Sequence, residues 1–339
     1  MRRISKYLII LLLLASCNKP KINILGDFSD CRELTKPLVI DGIFEDMPYG
    51  FVVADSTIAA ISSQMGENQL FCVNIPSGER TSTLKIGRGP GEAFHANSIQ
   101  IQEDTISVAV DPEETFRYLL QECKSGNSAM PIISLKHSGI VAGNEIIAQG
   151  HNHDDKGNST LYSSVIIKDT VIRYWGDFPY GDKMKYPLED ESKQTAYQGH
   201  LFASPDGSKA VVPLLYTVGF DVIDIRSHSV KHHIWITPQV TIRHIEELNV
   251  NLVRRAPAYE TGFDDASATN QAIYLLYKKG NLSYVLKYDW KGKPETEYKI
   301  GPVDLEKIYV APDGSKLYAL ANDEKKCNLY IFDIGKLKI

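Results

Sequence analysis

The chain has 339 residues, 43% of them hydrophobic and 23% charged, a composition that buries a large core and excludes disordered and collagen-like chains. Its 37 basic and 42 acidic residues give a net charge of −5, which falls to −8 without the three basic residues of the first sixteen. An acidic chain with no polybasic block is a poor partner for nucleic acid, whose affinity comes mostly from neutralised phosphates.

Residues 1–16 read as a secretory signal. Arg2, Arg3 and Lys6 precede an apolar run from Tyr7 to Ala15, too short to span a bilayer stably. The run ends in Leu14-Ala15-Ser16-Cys17, which resembles the lipobox of bacterial lipoproteins. That resemblance implies cleavage before Cys17, a diacylglycerol on its thiol and an acyl chain such as palmitate on the new amino group. Several chains on one residue anchor stably where one alone does not. Residue 18 is Asn rather than the aspartate that retains enteric lipoproteins at the inner membrane, which points to the outer membrane. The expected organisation is a signal peptide (1–16), a lipidated tether (17–36) and a folded unit (37–339). Four cysteines remain beyond Cys17, namely Cys31, Cys72, Cys123 and Cys327, with three possible pairings and no C-x-x-C motif. Cys72 reads as a buried strand residue, and a Cys31–Cys327 bond would tie the two chain ends together.

From residue 37 onward the chain is a succession of short segments in which Val, Ile, Tyr and Leu alternate with polar residues, each closed by a turn cluster. Thr241–Arg255 is the best exception, with Ile242, Ile245, Leu248, Leu252 and Val253 near helical spacing. Ala203-Ser-Pro-Asp-Gly-Ser-Lys-Ala210 matches Val310-Ala-Pro-Asp-Gly-Ser-Lys-Leu317. In each, Pro presets the turn's first dihedral, Asp caps it and Gly accepts positive φ. Weaker relatives begin at Asp55, Asp104, Asn144 and Asn270, so six turns in all lead into an aliphatic strand. A second strand-like landmark follows each turn: Leu70–Ile75, Tyr118–Glu122, Leu161–Ile167, Phe220–Ile225, Tyr284–Tyr288 and Leu329–Ile334. This is the pattern of a four-stranded blade, and the expected fold is an all-β, six-bladed β-propeller. Ile22–Leu25 or Pro37–Asp41 is expected to supply the strand that closes the ring. Residues 174–198 and 238–262 are insertions between blades, of the kind that line one mouth of a propeller channel.

The lipobox, the Pro-Asp-Gly turns and the segment Ile86-Gly87-Arg88-Gly89-Pro90-Gly91-Glu92 together resemble the TolB-like (NHL-like) six-bladed propeller lipoproteins of Bacteroidetes. In that group a Gly-x-Gly-Pro-Gly-Glu-Phe stretch follows an early blade. Here Ala93 separates Glu92 from Phe94. The resemblance implies architecture and an exported address, not a chemistry.

Candidate chemistry is sparse. The Gly87–Gly91 loop lacks the Gly-Lys-Ser/Thr of a P-loop and reads as an inter-blade turn leading into a strand at Ser98–Ile101, with Arg88, Glu92 and His95 as candidate ligand contacts. Trp175, Tyr180, Tyr186 and Tyr197 cluster around one insertion, where aromatics can stack on sugar rings or simply pack between blades. His151-Asn-His153-Asp-Asp155 is the densest metal-like run, but it enters a turn and reads as a solvated loop. His232 and His233 are adjacent on a strand and point to opposite faces. No nucleophile elbow occurs, and no cofactor beyond the acyl anchor is expected. The sequence therefore points to a cell-envelope lipoprotein, held to the membrane by its anchor, whose non-catalytic propeller binds a protein or glycan. The alternative is a metal-dependent propeller hydrolase or lactonase with its site at the central channel.

Overall fold

The computed structural model describes residues 24–335, apart from 26, 63–65, 112–113, 126–129, 136–137, 154–155, 158, 168, 170, 180–194, 246–249, 257–258, 260–261 and 324–325. Cys17 and the signal segment therefore lie outside the described residues, as do Tyr180 and Tyr186.

Two strands, β1 (Asp30–Leu34) and β2 (Leu38–Phe44), precede the repeats. Blade 1 follows as β3 (Gly50–Ala54), β4 (Thr57–Ile61), β5 (Asn68–Asn74) and β6 (Arg80–Lys85). Blade 2 is β7 (His95–Gln102), β8 (Thr105–Asp111), β9 (Glu114–Leu119) and, after the short helix α1 (Leu120–Ser125), β10 (Ile133–Leu135). Blade 3 is β11 (Ile140–Ala142), β12 (Glu145–His153), β13 (Ser159–Ile166) and β14 (Ile172–Trp175). Blade 4 is β15 (Phe202–Ala203), β16 (Lys209–Pro213), β17 (Val218–Asp224) and β18 (Ser229–Ile236). A separate hairpin, β19 (Val240–Ile245) with β20 (Val250–Arg255), leads to blade 5: β21 (Phe263–Ala268), β22 (Ala272–Lys279), β23 (Leu282–Asp289) and β24 (Pro294–Ile300). Blade 6 is β25 (Leu305–Val310), β26 (Lys316–Asp323) and β27 (Lys326–Asp333), completed on its outer edge by β2.

Each of the six turns read from the sequence joins the first and second strands of a blade. Each downstream landmark is centred on the third strand, except that Tyr118–Glu122 ends β9 and begins α1. The chain is a six-bladed β-propeller.

β2 closes the ring by antiparallel pairing with β27, Leu38 opposite Ile331 and Phe44 opposite Cys327. This pairing covers an edge that blade 6 would otherwise expose. Of the two closing segments anticipated, the one beginning at Pro37 takes this place. Ile24 instead packs between blades 4 and 5. Residues 30–34, assigned to the tether, form β1, a parallel fifth strand on the outer edge of blade 5. The helical spacing at 241–255 is also corrected, since the stretch folds as the β19–β20 hairpin with Val240 opposite Arg255. Its content of β-branched Val, Ile and Thr suits a strand, and cross-strand pairing supplies the backbone bonds.

Successive strand residues point to opposite faces of a blade, and both faces are covered by neighbouring blades. The strand interiors therefore read as continuous apolar runs. Along β4, Ile58 and Ala60 join the core against blade 6, while Ala59 and Ile61 join the core against blade 2. Five of the six seams carry large apolar cores. Among the described residues, the seam between blades 2 and 3 has only Val141, Ile146 and Val165 as buried members, with Leu135 and Ile167 packed on them. There the Gln100 and Gln102 amides both donate to the Val141 carbonyl, at 2.6 and 3.1 Å.

Cys31 and Cys327 do not tie the chain ends. Cys31 is exposed on β1 of blade 5, whereas Cys327 is buried in blade 6 with its Sγ 3.9 Å from the Met47 sulfur. Strand pairing does that work instead.

Candidate functional site

The first strand of each blade borders the central channel, entering from one end and reaching its turn at the other. Six positions before each of the six turn residues stand Tyr49, Ser98, Ser138, His200, Asp264 and Lys307. All but Asp264 line a wide mouth, about 1340 Å³ of space including its opening, together with His95 and Asn97. Below it lies a throat of about 820 Å³ walled by Phe51, Ile99, Phe202, Ile308 and Tyr309. The channel thus has a polar rim over a shaft whose apolar walls are interrupted by Gln100, Asp265 and Ser267.

The rim's electrostatics centre on Lys307. Its Nζ lies 3.7 Å from Asp265 Oδ1, and the Ile308 amide donates to Asp265 Oδ2 at 2.8 Å. Burial raises the Asp265 carboxyl against the pull of Lys307 and of backbone amides. Desolvation by the channel wall around this exposed ring, with Lys307 nearby, holds the His200 imidazole below its ordinary value. His200 is therefore a neutral ring at pH 7, able to donate or accept. Across the rim, Tyr49 and His95 meet edge to face at 5.0 Å. Asn97 donates to Asp111 at 2.9 Å. The β19–β20 hairpin rises at this same end, its root fixed by Arg255 donating to the Leu215 carbonyl and by Gln239 donating to Tyr216.

The residues singled out from the sequence are dispersed. His95 lines the mouth. Glu92 turns back into its own loop, its Oε2 accepting from the Gly89 amide at 2.7 Å, and it fills the space that a Cβ on Gly87 would need. The Arg88 guanidinium lies over the Phe94 ring, 4.9 Å from its centroid. Buried Gln69 fastens this loop to β7 by donating to the Ala93 carbonyl and accepting from the Ala96 amide. Trp175 is buried beside Tyr162 and donates to Ser164 at 3.3 Å. Tyr197 is buried with its hydroxyl on the Pro179 carbonyl. His151 and His153 fall at the end of β12, and the described residues give no account of their side chains. His232 and His233 do point to opposite faces, His232 to Asp221 at 2.7 Å and His233 onto the Phe220 ring. Among the described residues, no three His, Cys, Asp or Glu side chains gather closely enough to hold a metal ion.

No family model matches the chain, and no curated protein does. Solved structures match in fold. A Bacteroides fragilis protein named as exported is 10% identical over 89% of this chain and 98% of its own, with a TM-score of 0.51. U3-55K is 10% identical over 87% and 98%, with a TM-score of 0.51. Regucalcin of Agrobacterium tumefaciens, named as a calcium-binding protein, is 11% identical over 91% and 98%, with a TM-score of 0.50. At such identity these likenesses establish the propeller and nothing about its chemistry.

Tyr49, Asn97, His200 and Lys307 form no local motif in the sequence because they belong to separate blades, and the Asp264-Asp265 pair, which reads as carboxylates of an insertion, instead lies in β21 with Asp265 buried. The signal that finds Tyr49, His200 and Lys307 is their shared offset, six positions before a turn residue.

Proposed function

We propose that this protein is an exported, lipid-anchored, TolB-like propeller that binds a protein partner at its channel mouth without catalysis. The observation that carries the reading is the polar rim over a mostly apolar throat. A partner loop can seat one apolar side chain among Phe51, Phe202 and Tyr309 while its backbone meets His200, Asn97 and Ser98. Such an arrangement has the layout of a hot-spot pocket, a desolvated centre ringed by groups that exclude water. Anchoring through Cys17 would hold the mouth close to a membrane, where a tethered partner is locally concentrated.

The metal-dependent hydrolase has less in its favour, because the buried channel carboxylate, Asp265, is already engaged by the Ile308 amide and Lys307. A photo-crosslinking residue at Ser98 in the full, membrane-anchored chain tests the proposal. A discrete protein adduct is expected, absent when the same probe replaces Lys85 on the outer strand and weakened at least tenfold by Tyr49→Ala. An adduct insensitive to both changes would refute mouth binding. Stoichiometric calcium or zinc in the purified protein would overturn the non-catalytic reading. Cys17→Ser is expected to move the protein from the membrane to the soluble fraction, and retention in the membrane would defeat the anchor.

A further inference from the structure

Cys72 lies in β5, the third strand of blade 1, and is 3% exposed. Its cross-strand partner on β6 is Thr81, so the two side chains share one face of the blade. The Thr81 hydroxyl donates to the Cys123 carbonyl at 2.6 Å, which places the backbone of Cys123 over that same face. Cys123 reaches this place because blade 2 is interrupted after its third strand. There α1 turns aside and packs on β5 and β6 of the neighbouring blade. Both cysteines belong to the core between blades 1 and 2. Cys72 and Cys123 are thus brought side by side in that core, and the neighbouring Cys72 thiol together with burial raises the Cys123 thiol above its ordinary range. Among the described residues Cys31 and Cys327 have no such neighbour, since one is exposed and the other lies against Met47.

We propose that Cys72 and Cys123 are joined by a disulfide in the mature protein, stapling blade 1 to blade 2. The structure records both as free, buried thiols. The oxidant is a disulfide carrier of an oxidising compartment, either a thiol–disulfide oxidoreductase or oxidised glutathione. One cysteine thiolate attacks the carrier disulfide, forming a mixed disulfide and releasing a carrier thiolate. The second cysteine thiolate attacks the protein sulfur of that mixed disulfide and displaces the other carrier sulfur. Two protons pass from the cysteines to the carrier, which leaves as two thiols, and two electrons leave with it. In the folded protein burial and the raised pKa keep the thiolate scarce, so the exchange belongs to folding, while α1 is still docking. Once closed, the bond is shielded from reductants by the same burial. The oxidant in the cell rests on the export reading above, whereas the geometry does not.

The test traps the full chain, expressed in an exporting bacterial host, with an alkylating reagent under denaturing conditions and no reductant. Peptide mapping is expected to show Cys72 linked to Cys123, with Cys31 and Cys327 alkylated. Cys72→Ser should expose Cys123 to the reagent, and Cys123→Ser should expose Cys72. A second arm refolds the reduced chain in a glutathione redox buffer, where the same linkage should form. Reducing the oxidised protein should lower its melting temperature by about 5–10 °C, since the bond closes a loop of about fifty residues. Four freely alkylated thiols in both arms, or a linkage involving Cys31, would overturn the proposal. Linkage on refolding but not in cells would overturn it too, and would place the fault in the export reading rather than in the geometry.

Discussion

The seam between blades 3 and 4 holds a buried polar relay whose removal can be worked out in advance. Asp221 on β17 is 1% exposed and accepts two side-chain hydrogen bonds, from the Tyr162 hydroxyl of blade 3 at 2.8 Å and from His232 Nδ1 at 2.7 Å. The far side of the His232 ring meets the Asp177 carbonyl at 3.2 Å. Replacing Asp221 with Ala strands the buried Tyr162 hydroxyl and leaves His232 without its carboxylate. Each hydrogen bond to a charged group is worth about 1.5–3 kcal/mol, so the variant should lose about 3–5 kcal/mol. Asp221→Asn keeps an oxygen for Tyr162 and should lose about half of that. Burial works against the charge on His232, yet the hydrogen bond and charge of Asp221 outweigh it and raise the imidazole above 6.5. A raised folded value means that this stabilisation is complete below the unfolded value of about 6.5 and is lost as pH rises through the folded one. Urea unfolding at pH 5.5 and 8.5 is the assay, with His232→Gln as the second variant. The stability gap between wild type and His232→Gln should be wider at pH 5.5. An equal gap at both pH values would refute the argument, as would a loss below about 1 kcal/mol in Asp221→Ala.

Phe44, fully buried where β2 closes the ring, should cost about 3–5 kcal/mol as Phe44→Ala, and deleting residues 18–42 after the anchor should sharply lower the melting temperature; unchanged melting would disprove closure by β2. At Gly207, φ is +65° and an added Cβ would stand 2.1 Å from the Gly143 amide nitrogen, so Gly207→Ala should lose more than about 2 kcal/mol in chemical denaturation. At Gly280 φ is +63° with nothing within 4 Å, so Gly280→Ala should lose only about 1 kcal/mol. Amide hydrogen exchange should open the seam between blades 2 and 3 before the others, because its apolar core is the smallest among the described residues; Gln100→Ala should speed that opening further.

Much of the fold was legible because local physics dictates it. Asp206 and Asp313 each bind the amide and hydroxyl of a Ser two residues on, a bond set that any Pro-Asp-Gly-Ser turn announces. Those bonds from Ser315 hold the Asp313 carboxyl below its usual range. Apolar runs such as Thr57–Ile61 announce strands covered on both faces. The hairpin at 240–255 was misread because Ile242, Ile245 and Leu252 satisfy a helical spacing equally well, and only pairing with a second strand decides between the two. The helix α1 went unread for a related reason. Six residues of Leu-Gln-Glu-Cys-Lys-Ser carry no helical stripe, and its place is fixed by packing on the neighbouring blade. The meeting of Cys72 with Cys123 was hidden with it.

The channel mouth was illegible for a different reason, and that reason supports its assignment. Within the internal repeat, the turn positions are nearly uniform, Asp or Asn in all six copies, because a tight turn admits few residues. Six positions upstream the copies diverge: Tyr49, Ser98, Ser138, His200, Asp264 and Lys307 span aromatic, hydroxyl, basic and acidic chemistry. Packing cannot demand that variety, since none of the six is buried. On the second strands, where blades press together, Ala59, Ile106, Ile146, Val211, Ile273 and Leu317 return to small or branched apolar groups. A repeated scaffold that is uniform where geometry constrains it and heterogeneous at one solvated ring of positions has been left free to place different chemistries around a common axis. A ligand that reads that ring must touch several blades at once. Single substitutions at Tyr49, His200 or Lys307 should therefore weaken binding while leaving the melting temperature within a few degrees of wild type.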